Sequence, residues 1–145
     1  MSNNQTGLSI EEVATLGSLH AEREGLQDME GVMATLGENP VYQYPTLGKQ
    51  FSGREKSQQF YQHFFANFSP NVVDYVLINQ WVNETSVTQE YDMTLSFDGV
   101  KENHRVLGVL FVVGDKLGGE RVYASEKVIR RMTGPLFDGM TEMLP

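Results

Sequence analysis

The sequence contains no cysteine, and this absence excludes three kinds of chemistry. A chain of 145 residues without cysteine forms no disulfide, binds no metal through thiolates and has no thiol nucleophile. Long apolar runs are also absent, since none approaches the roughly 20 residues that a helix needs to cross a bilayer. The amino terminus lacks the basic and then apolar order of a signal peptide. We therefore expect a cytoplasmic protein that does not insert into membranes.

Positive charge is scarce. Lys and Arg number 11 against 19 Asp and Glu, which gives a net charge of −8 at pH 7. The cations are scattered along the chain rather than gathered into a stripe, and such a surface repels phosphate backbones and anionic lipid. We therefore expect neither nucleic acid nor a membrane surface as a partner.

Motifs for metals and cofactors are missing as well. No set of His, Asp and Glu has the spacing of a metal site. The glycine-rich run at residues 114–119 lacks the strand, loop and helix context of a phosphate cradle. We expect no metal and no cofactor.

The size and composition are those of one globular domain. Apolar residues make up 40% of the chain and charged residues 21%, and no repeat, low-complexity tract or linker divides it. We expect a single domain spanning residues 1–145, with residues 1–8 flexible.

The chain begins with two predicted helices. Ser9 and Glu12 have the spacing of a capping box, which opens a helix whose inner stripe includes His20. Asp28 can cap a short second helix, and Gly37 is expected to end it.

A short strand, a loop and a third helix follow. Flanking prolines favour extended structure at residues 41–44, and residues 46–53 are expected to form a loop. Residues 54–67 predict a helix with aromatic residues on one broad face, which is typical of packing against a sheet. Those aromatic residues are Phe60, Tyr61, Phe64, Phe65 and Phe68.

The second half of the chain predicts a sheet. Strand-forming residues concentrate in four segments, at 71–81, 85–97, 103–113 and 120–128. Turn residues after the second and third favour antiparallel neighbours, and an amphipathic tail at 136–144 closes the chain. In the second segment, alternation places Glu90 and Asp92 on the side opposite the apolar residues, which favours a solvated role over acid–base work. Helices followed by strands predict an α+β protein.

This order of elements resembles the NTF2-like superfamily, especially its SnoaL-like and ketosteroid-isomerase-like branch. The best local match runs from His20 to Tyr61, with Tyr44 before a proline where many members carry Asp-Pro. Gly-Gly-Glu-Arg-Val-Tyr at residues 118–123 resembles a later strand of these proteins. The resemblance implies a cone-shaped α+β fold, in which N-terminal helices pack on a strongly curved antiparallel or mixed sheet.

The resemblance also implies a function and a partner. It implies a pocket for a small hydrophobic or carbonyl-bearing molecule, with cofactor-free isomerase, cyclase or hydratase chemistry by proton transfer. The alternative is a non-catalytic ligand-binding or interaction module. A homodimer through the outer face of the sheet is expected from the family, and segments 72–81 and 106–113 carry apolar residues on both faces.

None of the characteristic catalytic residues of these relatives is present in this chain. The general-base Asp of isomerase-like members corresponds to Tyr44, their helix-one Tyr to His20, and a third polar group falls near Leu107. Polyketide-cyclase-like members carry an Asp shortly after the last-strand Tyr, where this chain has Ser125 and then Glu126.

Three residues are candidates for catalysis: His20, Tyr44 and Tyr123. An imidazole can take and return a proton near neutral pH, although a histidine satisfied by a backbone or tyrosine partner explains His20 equally simply. Tyr44 and Tyr123 are expected to donate hydrogen bonds to a developing oxyanion, because a phenol is a poor base.

Six further residues are candidate ligand contacts: Tyr42, Phe60, Phe64, Trp81, Arg121 and Ser125. Tyr42 shares a strand side with Tyr44, and if Tyr123 points inward then Arg121 and Ser125 do so too, which would leave Glu126 outside. Trp81 suits a pocket rim or a dimer seam. Ordinary packing remains the alternative for each of these side chains.

Overall fold

A computed structural model describes residues 7–144, in which helices cover one face of a seven-stranded sheet. Of residues 1–8, which are expected to be flexible, residues 1–6 lie outside the described residues. Leu8 packs against the hydrophobic core. The helices are α1 (Ile10–Gly25), α2 (Met29–Ala34), α3 (Arg54–His63) and α4 (Glu126–Thr133). The strands are β1 (Leu36–Tyr44), β2 (Lys49–Ser52), β3 (Val72–Val82), β4 (Ser86–Phe97), β5 (Val100–Val113), β6 (Lys116–Tyr123) and β7 (Thr141–Glu142).

The sheet has the strand order β3-β4-β5-β6-β1-β2-β7. β1 and β6 run parallel, and the other pairs run antiparallel. Register shifts interrupt the β3–β4, β5–β6 and β1–β6 ladders, and such bulges bend a sheet. The α+β architecture expected from the sequence, with helices on a curved mixed sheet, is confirmed.

Helix α1 begins where the sequence predicts and lies close against the sheet. The Ser9 hydroxyl accepts from the Glu12 amide and the Glu12 carboxylate from the Ser9 amide, each at 3.1 Å. A Cβ at Gly17 would lie 2.8 Å from a methyl group of Val87 on β4, so glycine permits this close approach. His20, one turn further along, is thereby directed at the sheet and is buried.

The second helix ends at Ala34, before the glycine that was expected to end it. β1 starts at Leu36 rather than at residue 41, because the main chain there already pairs with β6. The Arg54 guanidinium from α3 binds the carbonyl oxygens that this transition leaves free, those of Met33, Leu36 and Gly37, at 2.8–3.0 Å.

Three further boundaries differ from the prediction. The expected loop at 46–53 contains β2, which pairs with β1 in a hairpin. The third helix is α-helical only to His63 and continues as a π-helical turn over Phe64–Phe68. The last segment leaves the sheet after Tyr123, since Ser125 caps α4 by accepting from the Val128 amide at 3.3 Å.

The expected amphipathic tail divides into two pieces. Gly134–Gly139 is a 3-10 helix, and β7 then pairs with β2 at the edge of the sheet.

The aromatic face of α3 and the following turn forms the core above β1 and β2. Phe60 lies 5.4 Å from the Tyr42 ring and 5.5 Å from the Phe51 ring, centroid to centroid. This contact with the sheet confirms the predicted packing of the third helix. Of the helices within residues 7–144, none combines the length and apolar character needed to cross a membrane.

Candidate functional site

A cavity of about 510 Å³ lies between α1, the turn after α3 and the concave side of the sheet. One side of its lining is apolar and comprises Ala21, Phe64, Phe68, Val72, Met93, Leu110 and Met132. The polar lining comprises His20, Glu24, Gln27, Ser69, Tyr75, Gln89, Tyr91 and Glu120. A mostly apolar hollow with a few converging polar groups is the usual form of a small-molecule site.

Both ring nitrogens of His20 form hydrogen bonds. Its Nδ1 lies 2.7 Å from the Thr35 hydroxyl, which donates its only proton to the Val32 carbonyl oxygen at 2.6 Å. The Thr35 oxygen must therefore accept from Nδ1–H, because a carbonyl oxygen cannot donate. In the neutral ring Nε2 is then the acceptor, and it lies 3.1 Å from the Tyr61 hydroxyl.

A chain of buried hydroxyl groups continues from that nitrogen. The Tyr61 hydroxyl lies 2.8 Å from the Tyr42 hydroxyl. Since Tyr61 gives its only proton to His20 Nε2, the Tyr42 hydroxyl donates to the Tyr61 oxygen. Burial raises the pKa of both phenols well above the usual value, so both keep their protons at neutral pH. Tyr42, Tyr61 and His20 thus form a neutral chain of hydrogen bonds with one direction, which can reverse only when Nε2 takes up a proton and donates to Tyr61.

Glu24 lies one helical turn after His20, at the mouth of the cavity. Its Oε2 is 3.5 Å from His20 Nε2, and its side chain is 32% exposed. A carboxylate at this distance stabilises a protonated imidazole.

Glu120 is the second carboxyl group of the cavity, and it rises from the middle of the sheet. It is half-buried on β6, between Tyr42 of β1 and Leu110 of β5. A Cβ at Gly108 would lie 2.6 Å from Glu120 Oε2, so the absence of a side chain there provides the space for the carboxyl group. Burial, with the negative charge of Glu24 as the second cause, raises the pKa of Glu120 to about 8.

Tyr44 lies one layer behind the cavity. Its side chain is fully buried, and its hydroxyl makes no hydrogen bond within residues 7–144. Burial first, and then the charge of Glu120, raises its pKa well above the ordinary value. It can therefore act only as a neutral donor.

A second, more open depression of about 470 Å³ lies on the other side of α1, against α2. Its lining includes Arg23 and Asp28, which face each other at 3.8 Å, and Lys116. These three side chains contact one another or the backbone, and none of them is a half-buried carboxyl group without a partner among the described residues, as Glu120 is in the first cavity. In the part of the chain that the structure describes, no three His, Asp or Glu side chains are grouped so as to hold a metal ion.

No protein-family model matches the chain, and no curated protein matches it either. Solved structures do resemble it. Bal32a, from a soil-derived mobile gene cassette, aligns with a TM-score of 0.66 at 14% identity, over 90% of this chain and 98% of its own. An NTF2-like protein from Anabaena variabilis aligns with a TM-score of 0.63 at 18% identity, over 87% and 93% of the two chains. The chain has the NTF2-like fold.

A third neighbour is a candidate ketosteroid isomerase from Kribbella flavida. It aligns with a TM-score of 0.61 at 20% identity, over 80% of this chain and 79% of its own. At these identities the likeness establishes the NTF2-like fold and nothing about the reaction or the ligand.

Within the NTF2-like fold, the predicted site residues fall into separate groups. His20 and Phe64 line the cavity. Tyr42, Tyr44 and Phe60 are in the aromatic core behind it, where Tyr42 reaches the site through its hydrogen bond to Tyr61 and its pairing with Glu120 on β6.

The expected row of Arg121, Tyr123 and Ser125 does not form. Glu120 and Val122 take the concave side of β6, so alternation turns Arg121 and Tyr123 to the opposite face. There the Arg121 guanidinium donates to Gln43 and stacks on Phe111.

Ser125 lies beyond the strand and caps α4, so neither it nor Glu126 lines the cavity. Glu126 instead pairs with Arg130 at 3.1 Å on the surface of that helix. Trp81 lies on the edge strand β3, half-exposed and outside the cavity lining. Glu90 and Asp92 both bind Arg105, at 2.8 and 2.6 Å, as expected for a solvated face.

The sequence reasoning missed Glu120 although its signal is present. The strand continues with Val122, an apolar residue of the kind that faces the core, and strand parity then places Glu120 on the same side. An acidic residue at a core-facing strand position is expensive unless it has a use. The prediction that Tyr123 faces the core places Glu120 on the opposite side of the strand, and Glu120 was therefore missed.

Proposed function

We propose that this protein binds a small hydrophobic, carbonyl-bearing molecule in the cavity and transfers a proton on it without a cofactor. The observation that carries the proposal is Glu120, whose carboxyl group lies in an apolar cavity without a hydrogen-bond partner among the described residues. Its raised pKa of about 8 keeps the carboxyl group mostly protonated at pH 7. A general acid or base works best when its pKa lies near the working pH.

The polar groups of the cavity suggest a division of roles. The Glu120 O–H donates a hydrogen bond to the carbonyl oxygen of the ligand, where negative charge develops. His20 Nε2 takes the proton from the carbon next to that carbonyl, and Glu24 stabilises the imidazolium that results. Return of this proton to another carbon of the enolate completes an isomerisation, and the Tyr61 hydroxyl can reverse its hydrogen bond during the cycle.

The proposed reaction is of the class named for one structural neighbour, the candidate ketosteroid isomerase, with which this chain shares the fold. The assignment to a SnoaL-like or ketosteroid-isomerase-like branch belongs to the same proposal. Its chemistry here would rest on Glu120 rather than on the tyrosines at positions 44 and 123.

The alternative is a ligand carrier without turnover. It is favoured by the absence of a carboxylate at the position that isomerase-like relatives use, which Tyr44 occupies here. Both functions need the same cavity, so binding and turnover must be measured separately.

Exchange of carbon-bound protons into D₂O tests the proposal directly. A panel of cyclic ketones is incubated with the protein, and deuterium uptake next to the carbonyl is followed by proton NMR. We expect Glu120→Gln and His20→Gln each to reduce the exchange roughly 100- to 10,000-fold, the usual contribution of one acid or base. Glu22→Gln, which changes an exposed carboxylate on α1, is the matched control and should exchange like the parent.

Two results would decide against catalysis. Parent-level exchange in a folded Glu120→Gln protein would remove the proposed acid. Ketones that bind in the cavity but exchange no faster than in buffer would favour the carrier.

We also propose that two copies of the chain associate through the outer side of the sheet, around β3. This edge strand is exposed along most of its length, and Val76 and Trp81 on it are 47% and 53% exposed. A monomer rarely leaves so large an apolar patch in water. A second copy is the expected occupant because an identical apolar strand can cover this one symmetrically.

A further inference from the structure

The cavity contains negative charge that the protein itself does not neutralise. Its two carboxyl groups, Glu24 and Glu120, face a lining that has no Lys or Arg among the residues that the structure describes. The nearest cation on α1, Arg23, points to the other side of that helix, toward Asp28. Arg121, next to Glu120 in sequence, lies on the opposite face of the sheet.

The tyrosines around the cavity respond to this negative charge. Burial raises the pKa of Tyr91, and the charges of Glu120 and Glu24 raise it further. The same three causes raise the pKa of Tyr75 on β3. At neutral pH Glu120 holds its proton, so the negative charge of the cavity is that of Glu24 at its mouth, and Glu120 adds to it as the pH rises.

Aromatic rings line the same space. Tyr75 and Tyr91 lie 4.8 Å apart, centroid to centroid, and Phe64 and Phe68 lie 4.9 Å apart. The faces of aromatic rings attract organic cations, and sites for ammonium groups commonly combine such rings with a carboxylate. Tyr75 is half-exposed, so the rings extend from the depth of the cavity to its mouth.

We infer that the ligand of this cavity also carries an amino group, whose ammonium form binds to Glu24 at the mouth among the tyrosine rings, while its apolar, carbonyl-bearing part is directed inward toward Glu120. His20 does not compensate Glu24 while Nε2 accepts from Tyr61, because the ring is then neutral. The inference rests on the proposed binding function of the cavity but not on turnover. It disfavours carboxylates and phosphates as ligands, since the Glu24 carboxylate would repel them and the lining holds no Lys or Arg among the described residues.

Three ligands of nearly equal size and different charge test this inference. They are 2-phenylethylammonium, 2-phenylethanol and phenylacetate, titrated into the intact protein at pH 7 and followed by amide chemical shifts in NMR. We expect the ammonium to bind roughly 10- to 100-fold tighter than the alcohol, as for one charge-assisted contact, and phenylacetate to bind weakest. Shifts should centre on the residues around Glu24 and Tyr75.

Glu24→Gln and Glu22→Gln form a matched pair, because each removes one carboxylate from α1 and only the first lines the cavity. In Glu24→Gln the preference for the ammonium should fall to within about threefold, while binding of the alcohol should persist. In Glu22→Gln the preference should be unchanged. Retained alcohol binding also shows that Glu24→Gln is folded.

Each other outcome is informative. Equal binding of ammonium and alcohol to the parent would overturn the amine inference and leave the binding function intact. A loss of preference in both variants would show a general effect of net charge, which also overturns it. If none of the three ligands shifts a cavity resonance at millimolar concentration, the amine inference fails, and the cyclic ketones then decide separately whether the proposed binding function stands.

Discussion

The raised pKa of Glu120 should be visible in the stability of the protein. A carboxyl group with a pKa of about 8 in the folded state and about 4.5 when unfolded binds more protons in the folded chain between those two values. The contribution of Glu120 to the free energy of unfolding therefore falls as the pH rises from about 4.5 to about 8, and it is constant above pH 8. Replacing Glu120 by Gln removes this loss.

The magnitude follows from the size of the shift. Each unit corresponds to about 1.4 kcal/mol, so the full displacement corresponds to about 5 kcal/mol. Because the half-buried carboxyl group borders an open cavity that water can enter, we expect about 2–4 kcal/mol. The free energy of unfolding of Glu120→Gln, relative to the parent, should rise by this amount between pH 5 and pH 8 and then stay level.

Urea unfolding followed by circular dichroism, at half-unit steps from pH 5 to pH 9, measures this difference. Subtracting the parent curve cancels the contributions of all groups that do not interact with Glu120. The ion pairs that lower the pKa of Asp92 and Glu102 act only at more acidic pH, because those carboxylates lose their stabilising charge as pH falls. A difference that does not change with pH, or one as steep in Glu22→Gln, would refute the reasoning.

Two further predictions concern positioning and assembly. Thr35→Val removes the acceptor of His20 Nδ1–H, so the free energy of unfolding should fall by about 1–3 kcal/mol. The control Thr15→Val, on the exposed side of α1, should lower it by less than about 0.5 kcal/mol. Equal losses in the two variants would contradict the His20 contact. Sedimentation equilibrium at micromolar concentration should give a mass of about twice 16.3 kDa for the parent. Trp81→Glu on β3 should reduce the mass to 16.3 kDa, whereas the control Val100→Glu, at an exposed apolar residue of β5, should leave the dimer intact. A monomeric parent would refute the dimer proposal.

The sequence was sufficient for the fold where local signals and packing agree. The capping box at Ser9 and Glu12 forms as predicted, and the side of β4 expected to face inward does so at Val87 and Met93. The sequence was not sufficient where an element forms only because it pairs with a strand distant in the chain. β2 and β7 are short strands that exist because they pair at the sheet edge, and no periodicity in so few residues reveals this.

The candidate site was predicted only in part for a similar reason. The stripe of α1 was enough to direct His20 inward, but its partner Thr35 lies in a turn whose position depends on pairing with β6. Ser125 has the side chain of a helix cap as well as that of a strand residue, and the cap prevails because Val128 and Ile129 are buried by a helix there. Predicting Glu120 as a cavity residue depends on knowing which side of β6 faces the core. The sequence analysis placed Tyr123 on that side, whereas the structure places Glu120 and Val122 there.

The carboxyl carbon of Glu120 provides the most direct test of the central claim, that this group holds a proton inside the cavity at neutral pH. The protein is labelled with ¹³C at the glutamate side-chain carboxyls, and the Glu120 resonance is identified by its loss in Glu120→Gln. The account predicts a titration midpoint at about pH 8. A midpoint near the ordinary glutamate value of about 4.5 would contradict it.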